Sequence, residues 1–564
     1  KTIKLWDVKK GEYIRTFEGH TDHVNAVCFS PDGIYALSES GDNTLRLWEV
    51  ETGKEVRIFA TRQRTWNGAG VDFSPDGKYI ISGSKENTMR IWNIANDEWV
   101  SFILNSYESK WVIYTNEGYW DSSHKGGDFV AMVQGIEVWN IDQFAVRNNR
   151  PDIILKRLGS SDRNLIKHYY AQYKKRLKRL GFKEDQLSDD YHIPETKITG
   201  KEENGKYVSL SFNVSDTKYN LKTYNIFVND VPLFGAYGKS VSGKSKALTE
   251  KIELTSGENK IEVSCMNEKG AESYRALTFA DYEKKVKGDL YFVGFGVSEY
   301  KNKDLNLKYA DKDVKDIAGI FNTMKGQYNK VYIRTYLNKE VTPSNIKKAK
   351  RFLENAKVDD TFVLFISGYG VHDRDEYATY YYLTHNTDLN NLGATAADFD
   401  LIEDLMQGIA LRKKLFLMDT CESGEVDNDT QEVYYVMADA KGIRSRTSRR
   451  GLLIKEKEKR NYLYEKDRYI YNDLLRRSGA IVFSSCRGGE FSYESDALKN
   501  GLFTEEIIAA ISEGRADADG NGIVTTDELR DYVSKAVPEH CRGMQNPTVD
   551  RDNIYVKFGF HVGY

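Results

Sequence analysis

The sequence predicts a multidomain protein: a partial β-propeller, a β-sandwich, and an α/β domain with a mostly parallel sheet. Three observations carry this. Trp6, Trp48, Trp92 and Trp139 recur at intervals of 42, 44 and 47 residues, which is the period of a four-stranded propeller blade. Between Ile193 and Phe279, short alternating strands are separated by turn residues. From Leu290 onward, wholly apolar strands alternate with helical patterns. That order builds a parallel sheet covered on both faces.

Residues 1–149 repeat Leu5-Trp6-Asp7 as Leu47-Trp48-Glu49, Ile91-Trp92-Asn93 and Val138-Trp139-Asn140. Phe-Ser-Pro-Asp-Gly occurs at Phe29–Gly33 and again at Phe73–Gly77, each time as a turn after a strand. With Gly19-His20 ahead of Asp42 and Trp48, the segment resembles WD-repeat propellers. That resemblance makes His20 a satisfied polar group of a structural His–Asp–Ser/Thr–Trp network. The chain opens on the last strand of a blade and not on Met, so an upstream continuation is expected. These carboxyl-terminal blades would recruit a protein or peptide partner. Residues 150–192 carry helical periodicity and are expected to link the domains, with Lys174–Arg179 as a solvated face. Residues 193–280 hold strands at Val208–Val214, Thr223–Val228 and Lys260–Cys265, with turns at Asn229-Asp230 and Gly257–Asn259. This pattern predicts a β-sandwich of immunoglobulin-like type, a spacer between propeller and α/β domain.

The α/β domain spans 288–564. Its first strand is Leu290–Gly296, a helix runs from about Tyr309 to Met324, and further strands follow at Val331–Arg334 and Thr361–Gly370. The apolar run Leu415–Met418 reads as another buried strand, and it delivers Asp419, Cys421 and Gly424 at its carboxyl end. Open α/β sheets place their sites there. Cys421 is either a nucleophile or a small buried hydrophobe. Upstream, a strand ends in Ser367-Gly368-Tyr369-Gly370; downstream, one ends in Asp419-Thr420-Cys421-Glu422-Ser423-Gly424. This pair of motifs resembles the caspase-like cysteine peptidases, especially bacterial and metacaspase-type members, which pair strand–Ser-Gly-His-Gly with strand–Asp-Ser/Thr-Cys-x-Ser-Gly.

The second motif matches at every defined position, but Tyr369 stands where the family has its His. The resemblance then offers two bases for the thiol proton. One is His385, after the run Tyr380–Leu383 with Asp388 to orient it; the other is His372. If neither serves, the domain has lost its base and the chain is a binding scaffold. The backbone N–H groups of Gly370 and Cys421 would hold the oxyanion. The family's acidic pocket residue aligns with Asp313, and Asp419 joins it. Two carboxylates there would select Arg or Lys before the scissile bond; otherwise Asp313 is an exposed helix-start residue. The long segment from Gly424 to Arg468 would be a processing loop with self-cleavage at Arg444, Arg446, Arg449 or Arg450, or else a solvated basic loop.

Asp517–Glu528 follows the calcium loop of an EF-hand. Asp517, Asp519 and Asn521 hold positions one, three and five, and Gly522 makes the turn. The Ile523 carbonyl, Thr525 and Glu528 complete the set. A structural calcium is expected there, the alternative being an Asx-rich interhelical turn; no organic cofactor is expected. Lys and Arg number 81 against 84 Asp and Glu, a net charge of -3, so no nucleic-acid partner is expected. No apolar run is long enough to span a bilayer. Cys28, Cys265, Cys421, Cys486 and Cys541 are sparse and unpatterned, which suits a reducing cytoplasm. Together these features read as a cytoplasmic cysteine endopeptidase, in an arrangement that resembles bacterial signalling or defence proteases.

Overall fold

The computed structural model describes residues 1–61, 70–84, 88–96, 98–105, 110–123, 126–134, 136–160, 163–187, 190–373, 379–420, 443–445, 468–469, 478–486, 491–550 and 558–562. They form two compact units, Lys1–Tyr170 with 461–470, and Ala171–Arg460 with 471–564.

In the first unit the strands Val24–Phe29, Tyr35–Ser40, Thr44–Glu49 and Glu55–Ala60 form one antiparallel four-stranded sheet. The hairpin Ile3–Asp7/Glu12–Phe17 packs on one face of it through Phe17, Ala36 and Trp48. The expected polar network is present. His20 Nδ1 donates to Asp42 at 2.8 Å, Trp48 Nε1 donates to Ser38 Oγ at 2.8 Å, and Ser38 Oγ in turn meets His20 Nε2 at 2.8 Å. Burial lowers the His20 pKa more than Asp42 raises it, so the ring stays neutral. Burial would raise Asp42, but hydrogen bonds from Thr44, Thr21 and His20 outweigh it and hold the carboxyl at about 2.

The regular blade pattern ends sooner than the tryptophans suggest. Val71–Phe73, Tyr79–Ser84, Thr88–Asn93 and Trp99–Asn105 form a second such sheet, but Lys110–Thr115 then pairs with Trp99–Asn105 instead of opening a new one. Trp139 sits in a two-stranded hairpin, Ala131–Gln134/Glu137–Asn140, packed against Phe144. The third interval of the repeat is therefore not a blade.

In the second unit the helix segment up to Leu180 corrects the solvated-face expectation for 174–179. Arg176 is buried, with its guanidinium over the Tyr173 ring, and Arg179 pairs with Asp400. Next, Glu195–Asn204, Tyr207–Ser215 and Ser245–Glu253 form one antiparallel sheet. Leu221–Val228, Gly257–Asn267 and Ala276–Tyr282, with short flanking strands, form another. Val208, Leu210, Phe212 and Val214 alternate inward to meet Ile226, Ile261, Val263 and Cys265 in one core. Asn229 and Asp230 both take positive φ (51° and 66°) at the hairpin turn, as a primed turn demands. This layer docks on the α/β domain: the Ser256 amide donates to Asp359 at 2.9 Å.

The α/β domain runs through β1 (Leu290–Gly296), α1 (Ala310–Thr323), β2 (Val331–Leu337), α2 (Pro343–Ala349), β3 (Thr361–Gly368), β4 (Gly370–His372), β5 (Tyr380–Tyr382), β6 (Lys413–Thr420), β7 (Ile443–Ser445), β8 (Ile481–Ser484), β9 (Tyr493–Ser495), β10 (Asn500–Gly501), α3 (Leu502–Ser512), β11 (Ile523–Thr525), α4 (Thr526–His540), β12 (Thr548–Asp550) and β13 (Gly559–His561). The main sheet has the order β2-β1-β3-β6-β8-β12, parallel except for β12. Its strands are apolar on both faces because both are covered. Phe292, Val363, Phe365, Leu415 and Leu417 meet α1, α3 and α4 on one side; Val293, Leu364, Ile366, Phe416 and Met418 meet Ile346, Ile402 and Leu405 on the other. Glycine is required where α1 crosses β1, since a Cβ on Gly296 would lie 2.6 Å from the Ala310 carbonyl oxygen. Lys414, buried on β6, donates to the carbonyls of Met406 (2.8 Å) and Ser478 (2.7 Å). Its burial drives the amine pKa well below the ordinary value.

Candidate active site

β3 and β6 run in register, pairing Ser367 with Asp419 and Gly368 with Thr420. Side chains alternate, so Ser367 and Asp419 face α1 and α3, while Thr420 faces the opposite layer. α1 brings Asp313 to the same place. Ser367 Oγ donates to Asp313 Oδ2 and the Gly501 amide to Oδ1, each at 2.9 Å. Asp419 accepts from Ser492 Oγ and Thr504 Oγ1, both at 2.6 Å. Both carboxylates are fully buried, so the exposed helix-start alternative for Asp313 does not hold. Both acids thus border Ser367, Asp313 through its hydrogen bond and Asp419 through the strand pairing.

A third acid comes from the stretch after Cys486. Glu494 on β9 accepts the amides of Lys308 (3.1 Å) and Tyr309 (3.0 Å) and so caps the start of α1. Gln545, also buried, donates to the Ser485 carbonyl at 2.9 Å and accepts from the Tyr493 amide at 3.1 Å. Ser492, Thr504, Glu494 and Gln545 sit in stretches with no motif of their own, and only the fold gathers them.

Tyr369 occupies the strand-end position where the resemblance expects His. It is buried, its ring 5.5 Å from that of Tyr300, and its amide donates to the Tyr300 hydroxyl at 3.1 Å. After it, β4 and β5 form a hairpin. The Leu383 amide bonds the Tyr369 carbonyl and the Asp373 amide bonds the Thr379 carbonyl. Those two bonds fix the alternation, so Gly370 and His372 occupy non-hydrogen-bonded positions opposite Tyr382 and Tyr380. The Gly370 N–H thus faces away from the ladder, as an oxyanion donor must. The Tyr380 hydroxyl meets Thr420 Oγ1 at 2.6 Å, so the hairpin that carries His372 reaches the end of β6.

His385 is not brought there. Its Nδ1 donates to the Glu299 carbonyl at 2.5 Å, its amide to the Val341 carbonyl at 3.2 Å, and its carbonyl accepts from the Lys301 amide at 2.8 Å. Glu299 and Val341 follow β1 and β2, on the side of β3 away from β6. Neighbouring strands stand about 4.8 Å apart, which puts β1 about 10 Å from β6. Asp388 does not orient the ring either; it accepts the Asn390 amide within its own turn at 3.0 Å. After Leu383 the chain turns toward β1, and it returns to the hairpin at Ala397–Asp398, which pair with β5.

Cys421, next in sequence after Thr420, lies outside the described residues, as do Arg446, Arg449 and Arg450. Arg444 lies in β7, whose backbone pairs with β9 so that Arg444 stands opposite Glu494. Among the described residues Cys28, Cys265, Cys486 and Cys541 form no disulfide.

At the far end of α3, carboxylate oxygens of Asp517, Asp519 and Glu528 lie within 4.8 Å of one another. Gly522 (φ 80°) makes the turn, and its amide donates to Asp517 at 2.9 Å. Asn521 donates to Asp519 through Nδ2 at 2.8 Å. β11 pairs with β13, and the bonds Val562 N–H to Gly522 carbonyl and Thr526 N–H to Phe558 carbonyl fix its alternation. The Ile523 carbonyl therefore faces away from β13. Glu528 and Thr525 cap α4 reciprocally. An all-oxygen donor set on a Gly turn between two helices fits a hard divalent cation.

Two family profiles match the chain. Residues 293–558 match "Caspase domain", and residues 11–49 and 65–93 match "WD domain, G-beta repeat". The chain carries a caspase domain preceded by WD repeats. Curated relatives include "Nuclear distribution protein PAC1" of Arthroderma otae, 48% identical over 50 residues, which are 9% of this chain and 11% of that protein. The "Guanine nucleotide-binding protein subunit beta" of Zea mays is 38% identical over 60 residues, 10% of this chain and 16% of that one. "Lissencephaly-1 homolog 1" of Paramecium tetraurelia is 42% identical over 55 residues, 10% and 14%. The chain thus spans only about a tenth to a sixth of these relatives. A solved structure, the "WD40 beta propeller domain of Doa1", is 33% identical over 16% of this chain and 29% of its own, with a TM-score of 0.15.

Proposed function

We propose that the chain is a cysteine endopeptidase that cleaves protein substrates after Arg or Lys, with Cys421 as nucleophile and His372 as base. The observation that supports it most is the caspase-domain match combined with the buried Asp313–Ser367–Asp419 cluster at the strand ends. In this reading the His372 imidazole takes the Cys421 thiol proton and the thiolate adds to the scissile carbonyl. The N–H groups of Gly370 and Cys421 hold the oxyanion. The C–N bond breaks as His372 returns the proton to the leaving amine, and water then hydrolyses the thioester. The WD repeats recruit substrate or trigger, the immunoglobulin-like layer spaces them, and the sparse cysteines suit the cytoplasm. Among the described residues no helix is long and apolar enough to cross a membrane.

Tyr369 at the family's His position favours a second reading, a scaffold without activity. Cleavage of an Arg-ended fluorogenic peptide separates the two. Wild type is expected to cleave it and Cys421→Ala to lose about 10⁴-fold or more. A wild type inert to that peptide and to a basic chloromethyl ketone, with and without calcium, would leave only the scaffold.

Calcium at Asp517, Asp519, Asn521, Ile523, Thr525 and Glu528 would brace α3 against α4. Calorimetry is expected to find one site, weakened about tenfold or more by Glu528→Gln. Calcium at a hundredfold excess over Kd should stabilise the fold by about 2.7 kcal/mol. The absence of both heat and a Tm shift would end this assignment.

A further inference from the structure

A side-chain hydrogen bond joins the hairpin bearing His372 to the strand that leads into Cys421. Tyr380 Oη and Thr420 Oγ1 are 2.6 Å apart, and both side chains are buried. The Tyr380 ring is set edge-on to Phe399 at 6.0 Å, so packing fixes where its hydroxyl points. Thr420 is gripped from the other side as well: its carbonyl accepts from Ser485 Oγ at 3.0 Å and from Cys486 Sγ at 3.5 Å. The backbone ladder between β3 and β6 closes at Gly368 and Thr420. Past that point the β4–β5 hairpin belongs to a different sheet from β6.

We infer that Tyr380 is a positioning residue for the peptidase: through Thr420 it holds the base-bearing hairpin in register with the nucleophile-bearing strand. It reaches neither thiol nor substrate in this role. A thiol and an imidazole exchange a proton only within hydrogen-bond reach, and a shift of about 1 Å costs up to about a hundredfold in rate. The non-hydrogen-bonded pairing of His372 with Tyr380 makes the link short, because such pairs bring their Cα atoms closest. This inference rests on the peptidase reading, and its test keeps the two apart.

Tyr380→Phe keeps the ring and its Phe399 contact and removes only the hydroxyl. Thr420→Val removes the other partner at nearly constant shape. Each is expected to lower kcat on an Arg-ended peptide about tenfold, the size of one lost hydrogen bond, with KM unchanged. Each should also move the pH midpoint of Cys421 alkylation upward, toward that of an ordinary thiol. The double variant should be no slower than either single one, since both remove the same bond. A purely structural role would lower the unfolding midpoint and leave the alkylation profile where it was. Wild-type kcat and alkylation profile in Tyr380→Phe would overturn the positioning role and leave the peptidase standing. A wild type without Cys421-dependent cleavage would overturn both.

Discussion

His372→Ala is expected to lower kcat about 10³-fold, whereas His385→Ala stays within about twofold of wild type. A positioned general base contributes about 10² to 10⁴ in rate, so the first number is what loss of the proton acceptor removes. The second follows from where His385 sits. Its ring nitrogen is committed to the Glu299 carbonyl, and its backbone is tied to Lys301 and Val341, beside β1 and β2. Reaching the end of β6 would mean breaking these three bonds and crossing β3. His372 stands on the hairpin opposite Tyr380, whose hydroxyl bonds Thr420. Single-turnover and steady-state rates on one Arg-ended peptide, with Cys421→Ala as the baseline, measure both. The reverse pattern would return the base to His385. Equal, small effects from both variants would point to a site without an imidazole base, with Tyr369 in its place.

The sequence displayed the main sheet clearly, because its strands are short apolar runs bounded by glycine and polar residues. Leu290–Gly296, Thr361–Gly368 and Lys413–Thr420 stand where the pattern puts them. Asp313 and Asp419 were also legible, because each belongs to a motif or a helix start. What sequence could not show was which loops converge. His385 follows a strand end just as a base should, but the direction of the turn after Leu383 depends on packing around Glu299 and Val341, far away in sequence. Tyr380 lay in an apolar run that reads as core, and half of it is core. Only its distance to Thr420 reveals the other half. The repeat misled in a similar way: Trp139 keeps the blade spacing, yet its strand pairs in a separate hairpin because Lys110–Thr115 had already joined the sheet before it.

Asp419→Asn is expected to cut kcat/KM for Arg-ended peptides about 10- to 100-fold, and to change that for an uncharged isosteric side chain less than about threefold. A hydrogen bond to a charged group contributes about 1.5 to 3 kcal/mol, which sets that range. The discrimination comes from the fold of the site. Asp313 and Asp419 are both buried beside Ser367, which bonds Asp313 and pairs with Asp419 across the strands. The Ser367, Ser492 and Thr504 hydroxyls and the Gly501 amide donate to them. In the proposed reading a substrate guanidinium or ammonium would pair with carboxylate there, whereas a substrate carboxylate would meet like charge. The amide substitution separates charge from shape. At Asp419 the Ser492 and Thr504 hydroxyls can rotate, and either can accept from the new Nδ2. At Asp313 the Gly501 amide cannot rotate, so Asn must turn its oxygen toward Gly501 and its nitrogen toward Ser367. Asp419→Asn should therefore keep the wild-type Tm within a few degrees, and Asp313→Asn should lose more of it. Kinetics on peptides differing only in Arg, Lys, Gln or Asp before the scissile bond read the selectivity directly. A wild-type preference for Asp, or an undiminished preference for Arg in Asp419→Asn, would remove these two carboxylates from substrate recognition.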